Sequence, residues 1–218
     1  MTRAIFFDAA GTLFRLPRGV GWHYRDVASR HGADLDEAAL NAAFRSVWKA
    51  TPPLPETRTP RADDELGWWR DLVFKVLDEC RPAQDLDRAA LFDELWCEFT
   101  RPGVWELFPE TREVLAALHG RFRLAVISNF DGRLREILPQ LGVAGFFEEL
   151  IISSEVGAEK PSPHIFAEAL RLLEIEPEEA LHVGDEPEAD WRGASAAGLR
   201  VFELKRPENS LHDLLASL

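Results

Sequence analysis

The sequence predicts an α/β protein: a parallel sheet with an all-helical domain inserted after its first strand. Three observations predict it. Short apolar runs recur, each bounded by an acid, a glycine or a turn. Amphipathic helical patterns fill the gaps between them. The first run is cut off from the rest by a long stretch, Arg15 to Gly103, that holds helical patterns and no strand pattern.

The runs are Ala4 to Phe7, Leu124 to Ile127, Leu150 to Ile152, Ala180 to Val183 and Arg200 to Leu204. Continuous apolar runs, without polar alternation, are what a sheet covered on both faces requires. Between them the sequence predicts helices over Glu110 to Leu118, Arg133 to Leu141, Ser162 to Leu173 and Glu188 to Ala197. Ser162 is placed as a helix cap with Pro163 just inside, and Gly198 as a helix stop. Strands alternating with helices imply right-handed crossovers. The last residues, Glu203 to Leu218, read as an exit from the final strand and a short tail helix.

The insertion contains WHYRDVASRHG, DEAALNAAFRSVWKA, DDELGWWRDLVFKVLDEC and DRAALFDELWCEFT, split by a proline-rich break at Thr51 to Arg61. Ligands of open α/β sheets bind beyond the carboxyl ends of strands. An insertion that starts at that edge therefore reads as a cap. The expected domains are a core of residues 1–14 and 104–218 and a cap of residues 15–103. Six of seven tryptophans fall between Trp22 and Trp105, outside every predicted strand, where packing between cap helices accounts for them.

Composition narrows the function. Of 218 residues, 46% are hydrophobic and 29% charged, a globular balance. A net charge of −13 argues against a nucleic-acid groove, which needs clustered Lys and Arg, but leaves room for a small phosphorylated substrate. Cys80 and Cys97 show no metal spacing and read as reduced, half-buried thiols. No apolar run is long enough to span a membrane and no leader pattern is visible, so a soluble, cytoplasmic protein is expected. Oligomeric state is open.

Polar groups mark the ends of four predicted strands. Asp8 ends the first, in FFDAAGTLF; Ser128 and Asn129 end the second, in AVISNFDGR. Lys160 follows the third, in SSEVGAEKPSPHIF. Gly184 and Asp185 end the fourth, in HVGDEPEADWRGASAAG, with Asp190 beyond. This ordered set resembles the haloacid dehalogenase-like (HAD) hydrolase superfamily over nearly the whole chain. Within it, the chain is most similar to the phosphatase-like group with a helical cap on a Rossmann-like core.

The resemblance implies roles. Asp8 matches the nucleophile that forms an aspartyl-phosphate, and Lys160 the lysine that neutralises charge on nucleophile and phosphate. Thr12, Ser128, Asn129 and Lys160 match phosphate-binding positions. Mg²⁺ is implied as cofactor, held by Asp8, the Ala10 carbonyl and Asp185, with Asp190 outside the ligand set or holding Lys160.

Ala10 breaks the pattern, because the phosphatases carry a second acid there that protonates the leaving oxygen and then activates water. Such help is worth about 10²–10⁴-fold. A carbonyl survives the change; proton transfer does not. His23 or Glu186 could substitute, although an exposed helix-start histidine and a solvated loop acid are the plainer readings. Phosphonoacetaldehyde hydrolase also has alanine at this place and uses a cap lysine; Lys49 and Lys75 are the lysines here, and Lys49 reads more simply as a helix C-terminal charge. Haloacid dehalogenases lack the second acid but carry tyrosine there, and need no metal acid such as Asp185. A binding module on the same fold is the reading from a different class. The expectation is a Mg²⁺-dependent hydrolase of a small phosphorylated metabolite.

Overall fold

The computed structural model describes residues 1–82 and 85–218. In chain order its elements are β1 (Ala4–Phe7), β2 (Phe14–Arg15), α1 (Gly19–Arg30), α2 (Glu37–Ala50), α3 (Leu66–Cys80), α4 (Arg88–Glu98), β3 (Glu106–Leu107), α5 (Thr111–Leu118), β4 (Arg123–Ser128), α6 (Leu134–Gln140), β5 (Glu149–Ile152), α7 (Ser153–Val156), α8 (Pro163–Leu172), β6 (Ala180–Gly184), α9 (Gly193–Ala196), β7 (Arg200–Glu203) and α10 (Leu211–Ser217). Two compact units divide the chain: Met1–Arg15, Pro55–Asp64 and Glu106–Leu218 in one, Leu16–Leu54 and Glu65–Trp105 in the other.

In the first unit β1 is the central strand of a five-stranded sheet in the order β5-β4-β1-β6-β7, and every pairing is parallel. Its four residues AIFF are fully buried. Ile5 lies between Leu124 and Leu181, and Phe6 between Ala125 and His182. On one face Phe6, Ala125 and Ile127 pack with Ile165, Phe166 and Ala169 of α8. Each large apolar side chain among them, such as Phe6, Ile127, Ile165 and Phe166, contributes roughly 1.5–3 kcal/mol on burial. Helix α8 begins as the sequence predicts, with Ser162 Oγ accepting from the His164 N–H at 3.2 Å and Pro163 in the first turn.

The predicted strands and core helices are present, with two differences. Phe14–Arg15 pairs antiparallel with Glu106–Leu107, so a short ribbon stands where no strand pattern was visible. A two-residue pairing between positions this far apart leaves no periodic trace in sequence. The expected helix at Glu188 to Ala197 is a π-helical turn, Pro187–Arg192, followed by the short α9. That widened turn carries Asp190, and π turns recur at functional sites.

The second unit is helical. Asp36 and Asp87 cap α2 and α4, accepting from the Ala39 and Ala90 N–H groups at 2.8 and 3.1 Å. Its core is formed by Val27, Leu40, Leu72, Val76, Leu91 and Leu95. Trp48, Trp68 and Trp69 lie with ring centroids 5.0–5.8 Å apart, so these tryptophans pack against one another as the packing reading expected. His23 corrects an expectation: it is buried, not an exposed helix-start residue. Cys97 corrects another, being exposed rather than half-buried; Cys80 is partly buried, and both are free thiols. Lys49 is exposed in the last turn of α2. Among the described residues no helix is long and apolar enough to cross a membrane.

The proline-rich break divides between the two units. Pro55–Asp64 belongs with the α/β unit although helices of the other unit lie on both sides of it in sequence.

Candidate active site

The site forms at the carboxyl ends of the central strands, because parallel pairing aligns those ends. Asp8 directly follows β1, and its backbone N–H donates to the Val183 carbonyl of β6 at 2.9 Å. The chain then turns sharply: the Leu13 N–H donates to the Ala9 carbonyl at 2.8 Å and Gly11 adopts φ +95°. Glycine is required there twice over. The dihedral disfavours any side chain, and a Cβ would lie 2.4 Å from Asp185 Oδ2.

Four of the sequence-predicted residues form one buried cluster. Lys160 Nζ donates to Asp8 Oδ1 at 2.7 Å and to Asp190 Oδ1 at 2.6 Å. Ser128 Oγ donates to Asp8 Oδ1 at 3.3 Å. Burial works against the Lys160 charge, yet the two carboxylates outweigh it and hold Lys160 above its ordinary pKa. Asp190 is the mirror case: burial opposes its charge, but Lys160 and His182 hold it well below the usual carboxylate range. Burial pushes Asp8 up, and Lys160 offsets this only in part.

Asp185 stands apart from that ion pair. Thr12 Oγ1 donates to its Oδ1 at 3.1 Å. Burial, and then the charge of nearby Asp8, push its pKa up to about 6. Asp8, Asp185 and Asp190 each offer an oxygen within 4.8 Å of the others'. They are not equivalent as ligands. Asp190 Oδ1 takes Lys160 and, at 2.8 Å, His182 Nε2, while its Oδ2 takes the Glu186 N–H at 3.0 Å. Asp8 and Asp185 are thus the pair of like charges that a divalent cation fits, and hard oxygen donors suit Mg²⁺. Gly184 permits this arrangement, since a Cβ there would fall 2.2 Å from Asp190 Cγ.

The side chains of two expected phosphate-binding residues are engaged within the protein. The Thr12 hydroxyl is turned to Asp185. The Asn129 side chain is engaged with the backbone of Lys160: its Nδ2 donates to the Lys160 carbonyl at 2.9 Å, and its Oδ1 accepts from the Lys160 N–H at 2.7 Å. Asn129 therefore ties the loop after β4 to the lysine loop through its side chain. Ala10 has an exposed side chain, and Glu186 is exposed nearby in sequence to Asp185. His23 lies in the helical unit, with Nδ1 3.0 Å from Glu98 Oε1.

Sequence reasoning missed several residues that hold the site. His182, in the middle of β6, is fully buried behind Asp190. Its signal was present: a histidine inside an otherwise apolar strand needs a buried partner. Trp191 Nε1 donates to the Gly184 carbonyl at 2.8 Å, next to Asp185. Arg206 Nη2 donates to the Thr12 carbonyl at 3.2 Å, pairs with Glu110 at 2.6 Å and stacks on Phe108 at 3.6 Å. No local pattern points to Arg206, because its partners are all distant in sequence.

A family model for haloacid dehalogenase-like hydrolases matches residues 2–198. The chain belongs to that family. Haloacid dehalogenase-like hydrolases similar to it include the bovine (Bos taurus) haloacid dehalogenase-like hydrolase domain-containing protein 3, 34% identical over 210 residues, 94% of this chain and 83% of the relative. Glyceraldehyde 3-phosphate phosphatase of Methanopyrus kandleri is 46% identical over 82 residues, 38% of this chain and 35% of that protein. Among solved structures, the HAD-hydrolase YfnB of Bacillus subtilis, bound to magnesium, superposes with a TM-score of 0.81 at 20% identity, covering 100% and 98% of the two chains. That likeness carries the shared fold.

Proposed function

We propose that this HAD-like hydrolase is a Mg²⁺-dependent phosphatase of a small phosphorylated metabolite, with Asp8 as nucleophile. The observation that carries the reading is the division of labour among three acids. Asp190 is committed to Lys160, Lys160 to Asp8, and Asp185, near Asp8, has no ion pair with a cation among the described residues. A metal-free dehalogenase has no use for that last acid. The partial match to a glyceraldehyde 3-phosphate phosphatase agrees with a phosphate ester as substrate.

In this reading Asp8 Oδ1 is steadied by Lys160 and Ser128, and the other carboxylate oxygen attacks phosphorus. An Asp8–phosphorus bond forms as the bond to the leaving oxygen breaks, and water then releases phosphate and regenerates the carboxylate. Lys160 offsets anionic charge on the nucleophile and on the incoming phosphoryl group. When bound by Asp8, the Ala10 carbonyl and Asp185, Mg²⁺ supplies the positive charge that lets two anions approach. Asp190 keeps Lys160 extended and charged. Ala10 provides no proton, so good leaving groups react best.

The test is hydrolysis of para-nitrophenyl phosphate beside alkyl monophosphates, with Mg²⁺ and with chelator, by wild type and Asp8→Asn. The expected result is metal-dependent turnover of the aryl ester that Asp8→Asn abolishes without loss of fold. Wild-type turnover by Asp8→Asn contradicts the nucleophile, and no turnover of any phosphate contradicts the phosphatase.

A further inference from the structure

The proline-rich break lies across two loops of the site. The Thr57 and Arg58 N–H groups donate to the Gly157 carbonyl at 2.8 and 3.2 Å, and the Arg61 N–H donates to the Ser154 carbonyl at 2.8 Å. At the end of the segment the Asp64 carboxylate accepts twice from the Gly132 N–H, at 2.8 and 3.0 Å, and also from the Ser154 hydroxyl. Gly132 lies three residues after Asn129, and Ser154 and Gly157 begin the stretch that ends in Lys160.

Both loops leave room for the segment. A Cβ at Gly157 would fall 2.2 Å from the Thr59 carbonyl oxygen, and one at Gly132 would fall 2.6 Å from Asp64 Oδ2. The same two loops are joined beside it, by the Asn129–Lys160 pair of bonds and by Ser153 Oγ, which donates to the Phe130 carbonyl at 3.0 Å and accepts from the Phe130 N–H at 3.1 Å. Asp64 completes this row. It also sits at φ +50°, a left-handed conformation that Asp and Asn tolerate better than most side chains.

We propose that Asp64 is a positioning residue: by bridging Gly132 and Ser154 it sets the spacing of the two loops and so the register in which Asn129 presents Lys160 to Asp8. Its consequence for turnover rests on the phosphatase reading; its consequence for the loops does not. A carboxylate accepting N–H and O–H bonds makes the stronger kind of hydrogen bond. Its loss should therefore reach beyond the atoms it touches.

The experiment is amide hydrogen exchange resolved by NMR on the full chain, for wild type, Asp64→Ala and Asp64→Asn, with para-nitrophenyl phosphate kinetics in Mg²⁺ alongside. The Lys160 N–H bonds to Asn129, not to Asp64, so it separates positioning from local support. In Asp64→Ala its protection should fall about tenfold, and kcat should fall about tenfold with KM changed less, on the scale of one charge-assisted bond. Asp64→Asn, which keeps an acceptor and tolerates the same backbone, should restore both. Lys160 protection unchanged in Asp64→Ala, with only Gly132 released, overturns the proposal. Loss of Lys160 protection in a protein that turns over no phosphate supports the positioning and overturns the phosphatase reading alone.

Discussion

Among the described residues, each unit of the molecule holds one buried acid–histidine pair, and the two pairs differ in what else the acid holds. In the α/β unit His182 Nε2 lies 2.8 Å from Asp190; in the helical unit His23 Nδ1 lies 3.0 Å from Glu98. In both, the second ring nitrogen is buried and, among the described residues, has no hydrogen-bond partner. Asp190 hands its charge on to Lys160, which faces Asp8. Glu98 is matched instead by Arg101 at 2.6 Å and by Arg30 at 3.7 Å, side chains that reach solvent. Residue type and burial do not separate the cluster around Asp8 from the pair in the helical unit. The third partner does.

The largest expected contrast comes from neutralising the two acids. Asp190→Asn leaves Lys160 with a single anionic partner in a dry site. Breaking such a pair costs roughly 3–5 kcal/mol of stability, and with Lys160 no longer fixed against Asp8, aryl phosphate turnover should drop about 10²-fold. Glu98→Gln should cost stability, about 1–3 kcal/mol for a buried partner lost, and leave kcat within about twofold. Steady-state kinetics and denaturant titration of both variants check this. Equal losses of turnover would erase the distinction drawn between the pairs.

A smaller contrast concerns pH and metal. Asp185 has a folded-state pKa of about 6, raised from 3.8. A carboxyl raised in this way favours the fold while protonated. That advantage is lost as pH rises from about 4 through 6, and the ionised Asp8–Asp185 pair is then relieved by a cation. Mg²⁺ should accordingly raise the melting temperature by several degrees at pH 7.5 and by progressively less below pH 6. Asp185→Asn should remove most of the shift, whereas Glu98→Gln should leave it intact, since arginines already balance that acid. Differential scanning fluorimetry reads all three. A Mg²⁺ shift of equal size at pH 5 would detach Asp185 from the metal.

The same contrast explains how much was legible in sequence. The sheet was readable because AIFF, LAVIS and ALHVG are largely apolar runs, each ending in or followed by a polar group at a strand's carboxyl edge. That Asp8, Ser128, Lys160, Asp185 and Asp190 lie close together was readable for the same reason: strand order brings strand ends together. What depended on side-chain direction was not. The Asn129 amide is bonded to the backbone of Lys160, and the Thr12 hydroxyl is on Asp185. His23, on a helix, could face either way from its pattern alone, and burial against Glu98 decided it. The return of Pro55–Asp64 to the α/β unit was hidden because proline-rich composition signals only a break.

The smallest expected effect concerns His23, and it bears on the acid missing at Ala10. A histidine that served as the substitute acid must release a proton to substrate, so replacing it should penalise poor leaving groups more than good ones. A histidine that serves Glu98 should change stability and leave that selectivity alone. The geometry favours the second: Nδ1 is engaged with Glu98, and the ring lies 5.4 Å from that of Phe99 within the unit's aromatic packing. His23→Gln is therefore expected to lower stability by about 1–2 kcal/mol and to leave the ratio of aryl to alkyl phosphate turnover within about twofold of wild type. Measuring both ratios on one preparation removes differences in active fraction. A rise of tenfold or more would place His23 in proton transfer.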